Sequence, residues 1–192
     1  MRVGDILYFS PNYKFSELRW SDKEKLIEAF KDRVEGFYLK PAKKLNEERH
    51  GFAAGVLCVA TIDFLARIET GLLNATGRRF KKWLKDNIKE FNENDPLDQN
   101  ITLAYRFYDE FRNGLVHEGR IKNVGQFSYE FDELVRVENS VMIVNPEKLL
   151  EKIERSFNRY IEKIRRNESA FQAFKCALIR DFQRDVEYAR SR

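Results

Sequence analysis

Apolar residues return at helical spacing over most of this chain. Leu26, Ile27, Phe30, Val34, Phe37 and Tyr38 recur three and four apart, which predicts a helix with one buried stripe. Ser21 followed by Glu24 has the spacing of a capping box and sets its start. Pro41 is expected to kink or interrupt it, because proline lacks an amide hydrogen and clashes with the preceding turn. From about His50 to Leu73 apolar residues cover nearly the whole circumference, so this helix is predicted to be central and touched on most sides. Ala75-Thr76-Gly77 reads as a turn. A shorter helix follows from Arg78 to Phe91, with Phe80, Trp83, Leu84, Ile88 and Phe91 facing inward. The next is predicted from Asp95-Pro96, since Asp95 can cap orphan amides and Pro96 fits the first helical position. Its stripe is Ile101, Ala104, Tyr108, Phe111 and Leu115.

The period changes after Gly119, which suits a left-handed helix cap. Phe127, Tyr129 and Phe131 alternate with polar residues, and Val135, Val137, Val141, Ile143 and Val144 flank a turn at Glu138-Asn139-Ser140. This predicts a small antiparallel β-hairpin over 126–144, inserted among helices. Asn145-Pro146 opens a further helix with a seam from Leu149 to Ile164. The seam resumes from Phe171 to Val186, as one long helix or as two broken near Asn167. Residues 1–20 mix Ile6, Leu7, Tyr8 and Phe9 with Pro11 and Asn12, and read as an extended arm or short strand. The fold class is therefore mainly α. The 192 residues form a single domain: an arm (1–20), a helical core (21–118), the hairpin (126–144) and C-terminal helices (146–190).

Composition narrows the chemistry. The formal net charge of +4 is compatible with nucleic acid. With two histidines and two unclustered cysteines, a structural zinc site is not expected. Cys58 and Cys176 lie in apolar helical patterns and are read as buried thiols of a reducing, cytoplasmic compartment. The N-terminus lacks the apolar core of a signal peptide, and the apolar run from Phe52 to Ile62 is too short to span a bilayer, so no membrane partner is expected. Glycine-rich phosphate loops and nucleophile elbows are absent.

Three features stand out against this background. Arg112 falls within the apolar stripe of its helix, roughly 40° from Tyr108 and from Val116, and a guanidinium there needs a partner or a pocket. Asn113 and His117 are four apart and share an adjacent face, whereas Arg112 and His117 are roughly 140° apart at α-helical pitch. In the central helix, Asp63 and Arg67 are four apart and can pair locally, the commoner arrangement; alternatively Asp63 orients Arg112 or His117 from the neighbouring helix. Arg78, Lys81, Lys82, Lys85 and Lys89 line one face of theirs. A solvated face is the usual reason for such a stripe, and a phosphate track is the functional one.

Phe111-Arg112-Asn113-Gly114-Leu115-Val116-His117 resembles the signature of the HEPN superfamily: an Arg, a polar residue, then a His at the end of a helix, here with four residues between Arg112 and His117. The resemblance covers mainly residues 21–117. It implies a HEPN-like helical bundle and a metal-independent endoribonuclease. Its catalytic residues would be Arg112, Asn113 and His117, supported by Asp63, with Arg78, Lys81, Lys82, Lys85 and Lys89 binding RNA. It implies no cofactor, a homodimer about the motif helix, and a toxin or antiviral, abortive-infection setting with a cognate antitoxin or regulatory protein. Some members of the family bind nucleotides or partner proteins without cleaving RNA, so a non-catalytic module is the alternative. A helical interaction protein with a chance motif is a third.

Overall fold

The computed structural model describes residues 1–70 and 75–191. The chain is mainly helical. Helix α1 (Lys23–Val34), a π-helical turn (Glu35–Leu39) and α2 (Lys40–Glu47) run on as one rod. Its cap is Asp22, not Ser21: the Asp22 carboxylate accepts from the Lys25 amide at 3.1 Å. Pro41 does not separate two helices. It sits in the first turn of α2, where a missing amide hydrogen costs least, directly after the wider π turn.

Helix α3 (Gly51–Glu69) is the all-round apolar helix, and α2, α4 (Thr76–Asn87), α6 (Pro146–Arg166) and α7 (Glu168–Arg190) pack on it. Its nineteen residues match a bilayer crossing in length and composition. Yet Cys58, Ile62, Leu65 and Ala66 are fully buried inside the fold, while Phe52 and Val56 are exposed. The expected continuation of α3 to Leu73 lies outside the described residues. Thr76 and Gly77, expected in a turn, begin α4, which ends at Asn87; Lys89 belongs to a separate 3-10 turn (Lys89–Asn92).

Asp95 does not cap a helix. Residues 95–102 form a loop, and α5 starts at Leu103 (Leu103–Phe107). The Asp95 carboxylate, 2% exposed, is used instead by the buried Arg106 guanidinium at 3.3 Å and by the Leu97 amide at 2.8 Å. Arg106 also donates to Glu110 at 2.7 Å and to the Ser140 carbonyl. One cation thus ties the loop, the helix and the β-turn together.

The β insertion has three strands. β4 (Val135–Glu138) and β5 (Val141–Val144) pair antiparallel around Asn139-Ser140, both with positive φ. The expected strand through Tyr129 and Phe131 shrinks to β3 (Gln126–Phe127), which pairs with β5 in parallel. Its side chains explain this: the Tyr129 hydroxyl leaves the sheet to donate to Asn46 at 2.8 Å. Asn167 separates α6 from α7, capping α7 through the Ala170 amide. The N-terminal arm forms a two-stranded ladder, β1 (Arg2–Val3) with β2 (Ile6–Leu7), and then enters the core through Phe9, Phe15 and Leu18. The Arg33 guanidinium lies 5.0 Å from the Phe9 ring and 4.8 Å from the Phe182 ring, joining the arm to α1 and α7. Of the two thiols, Cys58 is buried as expected, but Cys176 is exposed on α7.

At the end of α3 the Glu69 carboxyl sits against Trp83 and Tyr160. Burial pushes it from an ordinary 4.5 up to about 7, with Asp86 adding to this; the Trp83 indole, Lys163 and Arg159 offset only part. An acid held protonated in the fold destabilises it once ionised. Between about pH 4.5 and 7 the unfolded chain has already lost this proton and the fold has not, so stability falls as pH rises. The loss is on the order of 3 kcal/mol. Glu69→Gln should abolish it: thermal melts of wild type and variant should differ little at pH 4.5, with the variant several degrees more stable at pH 8.

Candidate active site at the end of the motif helix

The helix carrying the motif changes register halfway. After α5 the chain continues as a π-helical segment, Tyr108–Glu118, closed by Gly119 in the left-handed conformation (φ 67°). In this geometry each amide bonds to the carbonyl five residues back, so a residue returns over the one five before it. Arg112 and His117 have that spacing. They are therefore not 140° apart: Nη1 of Arg112 lies 3.2 Å from Nε2 of His117. Because a guanidinium has donors only, a hydrogen bond between the two makes Nε2 the acceptor. The same Nη1 donates to Oδ1 of Asn113 at 3.4 Å. Val116, expected beside Arg112, is 57% exposed.

Arg112 is received by Asp63. Its Nε and Nη2 donate to Oδ2 at 3.3 and 2.8 Å. The local Asp63–Arg67 pair is not formed: Arg67 reaches Asp181 on α7 at 2.7 Å. Burial alone would raise the Asp181 carboxyl, but hydrogen bonds from Arg180 and Arg67 hold it below its usual range. The other oxygen of Asp63 faces Nη2 of Arg79 at 3.5 Å. Asp63 therefore sits between two guanidiniums with largely buried side chains, while His117 stands exposed at the rim.

Arg79 escaped the sequence reading, although the signal was there: it lies four residues before Trp83, on the apolar face of α4, and is buried with it. Tyr108 also belongs to the site. The Arg112 guanidinium lies 5.8 Å from its ring centre, and Lys81 Nζ lies 5.4 Å from it. A Cβ on Gly77 would come within 2.7 Å of that ring, so glycine there lets the tyrosine lie on α4.

The basic residues divide. Arg78, Lys82 and Lys85 are exposed along α4, Lys82 being paired with Asp86 at 2.7 Å. Lys81 is half-buried against the tyrosines, and Lys89 is exposed on the 3-10 turn. Arg78, Lys81, Lys82 and Lys85 border an open groove of about 640 Å³ whose far wall includes Asn100 and Tyr105. Among the described residues no group of three or more His, Cys, Asp or Glu side chains could hold a metal ion.

No protein-family model, curated protein or solved structure gives a significant match to this chain.

The charges make the fold depend unequally on the two partners. Asp63→Ala removes the carboxylate that faces both guanidiniums in a poorly hydrated site, a loss on the order of 3 kcal/mol. Arg112→Ala leaves Asp63 its contact with Arg79 and should cost less. Melting temperatures should therefore fall by roughly 5–10 °C for Asp63→Ala and by clearly less for Arg112→Ala. Equal losses would mean that Arg79 does not share the carboxylate.

Proposed function

We propose that this protein is a metal-independent endoribonuclease with a HEPN-like helical bundle, acting as a homodimer. The observation that carries the reading is the contact of Arg112 with His117, fixed from behind by Asp63 and open to solvent in front. RNA supplies its own nucleophile, the 2′-hydroxyl. Neutral His117 takes the proton from that hydroxyl as its oxygen attacks phosphorus. The Arg112 fork holds the non-bridging oxygens as negative charge develops, and Asn113 orients the phosphate. The 5′-oxygen leaves and needs a proton. The imidazolium of a second copy's histidine supplies it, giving a 2′,3′-cyclic phosphate and a 5′-hydroxyl.

Arg112 finds its partner, Asp63, within one chain. Exposed Val116 beside His117, and exposed Phe52 and Val56 on the helix that bears Asp63, support a self-association face. The resemblance implies a toxin or antiviral setting with a cognate antitoxin or regulatory protein, and the buried Cys58 thiol suits a reducing compartment such as the cytoplasm.

A second reading has its own support. The Arg112 hydrogen bond occupies the imidazole nitrogen that proton transfer needs. In a non-catalytic module Arg112 and His117 would bind phosphate without cleaving it.

Purified protein incubated with mixed RNAs in EDTA separates the two. Cleavage should persist and leave cyclic phosphate termini. His117→Ala and Arg112→Ala should each lose roughly a hundredfold in rate or more, and Arg112→Lys should recover little, since a point charge does not replace a fork. Equal activity in wild type and both alanine variants would sink the assignment. Phosphate-dependent binding with no cleavage in any of them would favour the module.

A further inference from the structure

Tyr105 is the one outward-facing aromatic of its helix. Leu103, Ala104, Arg106 and Phe107 around it are buried, yet Tyr105 is 49% exposed on the wall of the basic groove. Lys81 Nζ lies 4.4 Å from its ring centre and 5.4 Å from that of Tyr108. On the other side of Tyr108 comes Arg112, and then His117. Groove and motif are thus joined by a series of contacts, Tyr105 to Lys81 to Tyr108 to Arg112 to His117, none longer than 5.8 Å. Tyr105 also borders a second hollow, where Asp95, Asp109 and Glu110 outnumber the single cation Arg106, so the surplus of positive charge that draws a polyanion lies on the α4 side.

We infer that the RNA strand entering this site runs along the α4 groove and stacks an unpaired base on Tyr105 before its phosphate reaches Arg112. The inference rests on the ribonuclease reading and adds to it the path of the strand and a positioning residue. Stacking on an aromatic ring requires a base taken out of a helix, which a single strand offers and a duplex withholds. The groove, about 640 Å³, has room for unpaired nucleotides. Lys81 neutralises the backbone beside the ring, and Asn100 offers an amide on the same wall.

The test is fluorescence anisotropy with a labelled 2′-O-methyl RNA of about ten nucleotides, which cannot be cleaved, as a single strand and as a blunt duplex. The single strand should bind at least about tenfold more tightly. Tyr105→Ala should weaken it by about 5- to 100-fold with an unchanged salt slope, and Tyr105→Phe should restore it. Lys81→Ala should lower the salt slope by about 0.7. A Tyr105→Ala variant binding like wild type, or a duplex binding as well as the strand, overturns the inference while cleavage dependent on His117 leaves the enzyme standing. Strand binding that needs Tyr105, without cleavage of natural RNA, keeps the inference and removes the enzyme. No binding of either probe overturns it.

Discussion

The carboxylate of Asp63 is the point on which the candidate site turns. It is one of two acids in a nineteen-residue helix, α3, whose other positions are almost all apolar. That helix cannot rotate without exposing Ile62 or Leu65 to water or driving Phe52 into the core. Packing on several sides therefore fixes where the carboxylate points. It points at Arg112 and Arg79, two guanidiniums whose side chains are largely buried. Core packing thus sets the position of a charge, and that charge sets the orientation of an arginine fork.

A second constraint acts along the motif helix. Arg106, buried in the turn before the motif, draws Asp95, Glu110 and the Ser140 carbonyl onto one guanidinium. Phe107 and Phe111 stack at 4.9 Å, and Phe111 meets Phe127 of β3 at 5.1 Å. The inner face of the segment is thereby clamped by charge and by aromatic contact, and the β insertion is its outer buttress. With that face held, the π register decides what stands above what on the other. It brings together residues five apart, which an α-helix would separate.

How much of this could be read in the residues varies with the range of the interaction. The inward positions Phe80, Trp83, Leu84, Ala104 and Phe111 follow from a period of three and four, and all are buried. Arg112 could be identified as needing a partner, because a charge within an apolar stripe is anomalous in any sequence. Which partner it finds depends on how α3 meets the motif helix. For Asp63 the local partner, Arg67, was nearer in sequence, but Arg67 pairs with Asp181 across the bundle instead. The capping role given to Asp95 failed for a related reason: an Asp before a Pro is a good cap, but a buried Arg106 is a stronger claimant. The π register left no periodic trace that an α-helical count would detect, so the imidazole was placed on the wrong face. Tyr105 was missed because it lies off the apolar stripe, where an aromatic residue reads as surface.

The electrostatic layout follows from these same residues. Every acid near the motif helix is already engaged or turned away from the groove. Asp63 is taken by arginines, Asp95 and Glu110 by Arg106, and Asp109 meets Lys122 at 3.5 Å. The cations differ in kind. Arg106 and Arg79 are buried and structural, whereas Arg78 and Lys85 stand in solvent. Lys81 lies between the two sets, half-buried on two tyrosine rings, one of which, Tyr108, also faces Arg112. A mildly basic chain does not by itself make a phosphate site. Here the excess positive charge is sorted by burial, so that the fold consumes one part of it and the groove along α4 presents the other.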